Sequence, residues 1–473
     1  MAYTTIDDPT LYFNTVLYTG DGNNSRAVTG VGHQPDLVWF KDRELKSGSS
    51  NVYHHQWHDS VRGATQGALY SSLNNAEDTS YGISSFNSDG FTLRNPSHDS
   101  QNESGEAFVA WNWKAGGTAP SQTYTVKVVS DSGNKYRFDD FGTSAVTLDL
   151  QEGGTYTFDQ SDSSNSGHPL RFSTTSDGTH GSGTEYTTGV TTTGTPGSAG
   201  AKTVITVASG AATLYYYCSS HSGMGGQANT NSTHGSSNFS GSIQANVTSN
   251  TDAGFSIVSY TGTGANATVG HGLGVAPKVI FVKSRSGTYD WLVYHDSIGN
   301  GKAVKLNTTS AQLTSSVYWN STSPTSSVFS LGTSTAGNSS SATQIAYCFA
   351  EKKGYSKFGS YTGNGSADGT FVYTGFKPAV VIVKCTSNAE YWYIADNKRP
   401  EYNGSLGSTG VAGYLRPNDS SAEASNGWIN LLSNGFKMGY PGSETNGSGR
   451  THIYMAFAES PFVSSTGIPT TAR

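Results

Sequence analysis

Apolar positions along the chain come in short runs separated by Gly, Asn and Ser, and no stretch sustains the 3.6-residue period of an amphipathic helix. The segments YTVKVVS, KYRFDDF and AVTLDL alternate apolar and polar residues, as half-buried strands do. The runs DLVWFK, KVIFVK and VVIVK are nearly continuous in apolar residues, which predicts strands covered on both faces. This pattern predicts an all-β protein of tandem β-sandwich domains with few helices.

Internal repetition organises the pattern. VLYTGDG, VSYTGTG and GSYTGNG are each followed by a Pro that opens an apolar strand ending in Lys. Tyr18 to Pro35, Tyr260 to Pro277 and Tyr361 to Pro378 are each 17 residues, and Pro35 to Lys41, Pro277 to Lys283 and Pro378 to Lys384 are each 6. Each copy also carries an Asp (Asp59, Asp296, Asp396), read here as a turn residue, and closes on a related strand: AFVAWNWK, QIAYCFAEK or HIYMAFAES. The Ser-Asp/Asn-Gly-Phe turn of the first and third copies has no clear counterpart in the second. The expected organisation is an N-terminal arm (1–10), a first repeat (11–117), a different β-sandwich (121–245), a second repeat (254–353), a third repeat (354–463) and a C-terminal tail (464–473). Lys41, Lys283 and Lys384 are expected to cap strand ends, and the strict Pro fits the first position of a strand.

Composition changes this picture in three ways. The 473 residues include 58 Gly and are only 13% charged, which alone would allow disorder, but 12% aromatic content argues for a folded chain. The net charge of −6 and the lack of any Lys/Arg cluster leave no footprint for a phosphate backbone, so nucleic acid is not an expected partner. No run approaches the ~20 apolar residues of a membrane span, and MAYTTIDDPTLYF has neither a basic nor an apolar signal region. A soluble chain with no Sec-type signal and no membrane insertion is expected. Cys218, Cys348 and Cys385 are too few for a disulfide framework and suit a reducing compartment. Cys348 and Cys385 lie in strand-like runs and read as small buried thiols.

One constellation carries chemistry. His168 stands in GHPLRF, and Cys218, His221 and Met224 follow in C-S-S-H-S-G-M. Two imidazoles, a thiolate and a weak axial thioether form the ligand set of a blue-copper site, so copper is the expected metal. The apolar YYY run before Cys218 would supply a dry shell. Elsewhere, His54, His55 and His58 beside Asp59 read as solvated loop histidines. No G-x-S-x-G elbow, H-E-x-x-H or P-loop occurs, so an enzyme is not expected.

The segment around these residues resembles a cupredoxin, and C-x-x-H-x-x-M with an upstream His-Pro is similar to the short ligand loop of amicyanin-like members. The resemblance implies a Greek-key sandwich with His168, Cys218, His221 and Met224 at the ligand positions. The repeat itself, with QPDLVWFK, DSVRGA, SFNSDGFTL and FVAWNWKAGG, resembles a domain of structural proteins of tailed marine bacteriophages. That resemblance implies a virion component, assembled in the host cytoplasm as a tail or capsid-surface appendage beside other virion proteins. A homo-oligomer is expected, and a trimer would suit a fibre. Contact with host-surface polysaccharide is also expected, through aromatics such as Trp57, Trp111, Trp113, Trp291, Trp392 and Trp428 if these are not core residues. The competing expectation is a redox or metal-binding protein of a cell envelope.

Overall fold

The structure, a computed structural model, describes residues 3–44, 53–80, 82–94, 99–116, 120–231, 235–399, 413–425 and 427–470. It is all-β, and its α-helices among these residues are single turns of four residues. Each repeat pairs a large antiparallel sheet with a small one. In the first, the large sheet runs Phe13–Thr19, Ala107–Trp113, Leu37–Asp42, Gln56–Asp59, Leu69–Tyr70, and the small one Ser25–Thr29, Gly90–Arg94, Gly82–Asn87. The third repeat follows the same plan, with Ser356–Thr362, Thr451–Pro461, Phe376–Cys385, Trp392–Asp396 in the large sheet and Phe371–Tyr373, Gly435–Met438, Ile429–Leu432 in the small one. The large sheet of the second repeat has eight strands, because Ser236–Asn238 and Ala245–Asn250 join its edge. Its small sheet has only Ala267–Gly270 and Val328–Leu331, consistent with the missing Asn/Asp-Gly turn that forms the hairpin in the other two.

The recurrent Tyr-Thr-Gly is a latch. The hydroxyls of Tyr18, Tyr260 and Tyr361 donate to the carbonyls of Gln101, Gly337 and Thr445 at 3.0, 2.7 and 2.5 Å, each in a one-turn helix. These helices end on Asn102, Asn338 and Asn446, whose side-chain oxygens accept from the N–H of Asp21, Thr263 and Asn364 at 3.1, 2.8 and 3.1 Å. Gly20, Gly262 and Gly363 allow the close approach: a Cβ there would lie 1.8, 2.3 and 2.4 Å from a carbonyl oxygen of the segment after the helix. The spacing of the motif therefore reflects a backbone clasp that is repeated three times.

The three repeats close around one another. Their large sheets share a single core that includes Trp39, Trp57 and Trp111 of the first, Phe281, Trp291 and Tyr347 of the second, and Ile382, Trp392 and Phe457 of the third. This explains the doubly apolar strands, since one face meets the small sheet and the other meets the neighbouring repeats. The seams are cyclic. Glu77 N–H donates to Arg285 O at 2.8 Å, Gln312 N–H to Thr386 O at 2.9 Å, and Glu423 N–H to Arg43 O at 2.8 Å, so each repeat grips the next in the same way. Ile6 lies in the shared core, and the Tyr3 hydroxyl donates to Gly375 O at 2.6 Å, fastening the N-terminal segment to the third repeat.

The structure adds to two sequence expectations. Lys41, Lys283 and Lys384 stand one residue from the ends of their strands, and they are buried there (1, 0 and 0% exposed). Lys283 donates to Asn74 O of the first repeat at 3.1 Å, and Lys384 to Thr309 O of the second at 2.8 Å. Asp59 and Asp396 open turns, as read from the sequence, accepting from the N–H of Arg62 and Arg399 at 2.9 and 3.0 Å, and they are in addition buried ion-pair partners of the same arginines at 2.5 and 2.7 Å. By register their counterpart in the second repeat is His295, since Leu37, Val380 and Val279 pair with Asp59, Asp396 and His295. Asp296, one residue later, is exposed and pairs with Lys278 at 2.7 Å.

The inserted segment forms a sandwich with its own core, built on Tyr124, Phe138, Phe158, Phe172 and Tyr216. One sheet orders Asn134–Phe138, Ser121–Ser130, Thr155–Asp159, Lys202–Thr206, Val190–Thr193; the other orders Leu148–Gln151, Gly226–Asn231, Leu214–Cys218, Leu170–Ser173. The pairs Ser121–Ser130 with Thr155–Asp159 and Leu148–Gln151 with Gly226–Asn231 are parallel; the others are antiparallel.

Candidate metal centre

Cys218 ends the strand Leu214–Cys218 and pairs with Leu170 on the neighbouring strand, just after His168-Pro169. This register brings residues fifty apart in sequence to one end of the sandwich. The Cys218 Sγ lies 3.8 Å from His168 Nδ1 and 3.7 Å from His221 Nδ1, and the two imidazole centroids are 4.6 Å apart. Metal bonds of about 2.0 Å to nitrogen and about 2.3 Å to sulfur, the lengths typical of zinc sites, separate the two donors by about 3.7 Å at trigonal angles and about 3.5 Å at tetrahedral ones. Both Cys–His spacings therefore fit one shared ion, and the three donor atoms all lie within 4.8 Å of one another. Cys218 is fully buried, His168 half-buried and His221 exposed, so the cluster lies at the edge of the core with one imidazole facing water. Met224 is 1% exposed and belongs to the same apolar cluster as Cys218.

The surroundings hold this end of the sandwich in place. The His168 carbonyl accepts from the Tyr136 hydroxyl at 2.9 Å and from Gln160 Nε2 at 2.8 Å, while His180 Nε2 bonds Cys218 O at 3.0 Å. The Tyr136 N–H donates to Met224 O at 3.0 Å, and the Gly223 N–H donates to Asp177 Oδ1 at 2.9 Å, so the ligand loop is pinned at its C-terminal end. Gly225 is required because a Cβ there would lie 1.7 Å from Tyr216 O. Partial burial, with the nearby His221, lowers the His168 pKa and favours the neutral imidazole that a metal needs.

The weaker candidates resolve as structural. His55 and His58 are 0 and 2% exposed and His54 is partly buried, which corrects the reading of solvated loop histidines. The His55 ring accepts from Trp39 Nε1 at 3.0 Å, His58 stacks on Phe40, and burial drives both pKa values well down. Cys348 and Cys385 are buried, as read from the sequence, and burial raises the Cys348 thiol pKa. All six tryptophans named for sugar stacking are core residues, so their faces are not open to a glycan. A cleft of about 650 Å³, lined by Tyr12, Lys114, Gln122, Gln151, Asn250 and Asp252 among others, separates the insert from the first two repeats. Sequence reasoning missed Tyr136, Gln160, His180 and Asp177 around the candidate ligands, because nothing in their spacing links them to the cluster.

Comparison with known families adds one fact. Residues 8–137 and 226–461, more than half of the chain, match the family described as Domain of unknown function (DUF7483). No curated protein and no solved structure matches the chain. The unmatched stretch between the two segments contains His168, Cys218, His221 and Met224. The chain belongs to the DUF7483 family and carries its candidate metal centre outside the matched residues.

Proposed function

We propose that this chain is a non-enzymatic structural component of a bacteriophage particle, a tail or capsid-surface appendage, that presents a copper-binding cupredoxin-like module. The virion assignment rests on the motifs that resemble phage structural proteins. One observation carries the structural reading: the recurring elements serve architecture, with the Tyr-Thr-Gly latch closing each repeat on itself and Lys283, Lys384 and the three seam hydrogen bonds joining one repeat to the next. Mass spectrometry of purified particles tests the assignment. Peptides of this chain at a fixed stoichiometry to the major capsid protein are expected, and their absence would refute it.

A second reading is favoured by the 3.7 and 3.8 Å donor spacing at Cys218. In it, the chain is a redox or metal-binding protein of a cell envelope, in which His168, Cys218 and His221 would hold copper with Met224 as a further candidate ligand. Bound there, copper would supply a one-electron couple. His168 and His221 would hold it by Nδ1, Cys218 by its thiolate, and the buried aromatic shell would restrict water. Reversible one-electron reduction of the copper-loaded chain, with no association with particles, would decide for this reading.

A further inference from the structure

The shared core removes the tryptophans as glycan contacts, but it leaves a different aromatic surface. Phe371 and Tyr373 alternate along an edge strand of the third repeat and are 46 and 55% exposed, while Val372 between them is buried. Residues two apart on a strand share a face, with their Cα atoms about 7 Å apart. Cross-strand pairing places Lys437 opposite Phe371 and Gly435 opposite Tyr373, with Asn430 and Leu432 beyond them. The outward face is therefore two exposed rings beside a glycine floor, with the polar Lys437 and Asn430 on one side, Leu432 on the other, and the Lys437 ammonium paired with Asp368. Nearby, the Tyr3 hydroxyl donates to Gly375 O, two residues after Tyr373, and the Tyr3 ring carries the Lys353 ammonium 4.6 Å from its centroid.

Comparison among the repeats shows that the fold does not demand these rings. Val28 and Val269 are the counterparts of Val372, since Val28 pairs with Phe91, Val269 with Phe329 and Val372 with Phe436. The flanking residues are Ala27 and Thr29, both exposed, in the first repeat and Thr268 and Gly270, half-buried and buried, in the second. The same sheet thus forms with small or polar residues, and only the third copy exposes aromatic ones. The two half-exposed rings present roughly 200 Å² together, judged from the 150–250 Å² that such side chains can bury, well short of the ~1,000 Å² of a specific protein interface. A pyranose has apolar C–H faces and a hydroxyl rim. Flat rings flanked by Lys437 and Asn430 match both.

We infer that the outer face of the Phe371–Tyr373 strand is a polysaccharide contact, with pyranose rings stacking on Phe371 and Tyr373. This rests on the reading of the chain as a surface component that meets host glycans, and it names the site. The test is affinity electrophoresis of the full chain through gels containing hydroxyethylcellulose, alginate or purified lipopolysaccharide. The key variant is Phe371→Ala with Tyr373→Thr, which installs the pair that the first repeat already tolerates; its thermal midpoint should match that of the parent. Retardation of the parent in at least one gel, reduced at least fivefold in the variant, is the expected result. Equal retardation of parent and variant would overturn this site while leaving glycan contact intact. No retardation of the parent in any gel would overturn both. A sedimenting dimer that the double substitution dissolves would also overturn the inference, by showing that a second copy covers the strip.

Discussion

The repeats and the insert use the same strand chemistry in opposite ways. In the repeats, reactive-looking groups are turned inward: Lys283 and Lys384 bond across seams, Asp59 and Asp396 lie in buried ion pairs, and Trp57, Trp291 and Trp392 meet in one core. In the insert, the core is local, and the one side-chain group among the described residues spaced to share a metal ion sits at its edge with His221 exposed. Recurrence and reactivity are thus separated. What appears three times is used for architecture, and what appears once gathers the candidate ligands His168, Cys218 and His221.

The sharpest way to break this contrast is to cut the shared core. Trp57→Ala should cost about 3–5 kcal/mol and lower the unfolding midpoint of all three repeats together, because Trp57 packs on Phe281 and Trp291 of the second repeat. Separate melting of the repeats in differential scanning calorimetry would contradict a common core. Arg399→Met should cost a similar amount, about 3–5 kcal/mol, by leaving Asp396 charged and buried without its partner. Chemical denaturation measures both.

A smaller loss tests the latch. Gly20→Ala drives a Cβ to 1.8 Å from Glu103 O and should cost about 1–3 kcal/mol, whereas Gly142→Ala, with nothing within 4 Å, should be close to neutral. Equal effects at the two glycines would remove the latch from the account.

The seam lysines give a pH signature. Burial lowers Lys283 and Lys384 from 10.5 to about 8. Between pH 8 and pH 10.5 the unfolded chain binds more protons at these groups than the native one, so stability rises with pH; below pH 8 both states are charged and the penalty is constant. Their contribution between pH 7 and pH 9.5 is on the order of 1–2 kcal/mol per lysine. Lys283→Met should flatten the profile by one lysine's share in denaturation midpoints measured across that range. A wild-type profile falling from pH 7 to pH 9.5 would contradict the buried seam.

Much of this was legible in the sequence. The Tyr, Pro and Lys spacing marks the repeats, and the missing Gly-Phe turn of the second copy foreshadows its shorter small sheet. The candidate ligands were legible because three lie within seven residues and the fourth precedes a Pro. The shared core was only hinted at by doubly apolar strands, since a sequence shows that a face is buried but not against what. His295 was hidden by the neighbouring Asp296, because one residue of register moves a side chain to the other face. Phe371 and Tyr373 look like any Phe-Val-Tyr strand, and only the cross-strand register identifies Ala27 and Thr29 as their counterparts.

The smallest expected effect on the body is the largest on the site. Cys218→Ser should leave the cooperative unfolding of the repeats unchanged within about 0.5 kcal/mol, because the insert has its own core. The direct test of the division between scaffold and site is optical titration of the full chain with Cu(II). The account predicts an intense visible thiolate-to-copper band that saturates at one equivalent and is lost in Cys218→Ser. A colourless titration, or a band that survives that substitution, would contradict it.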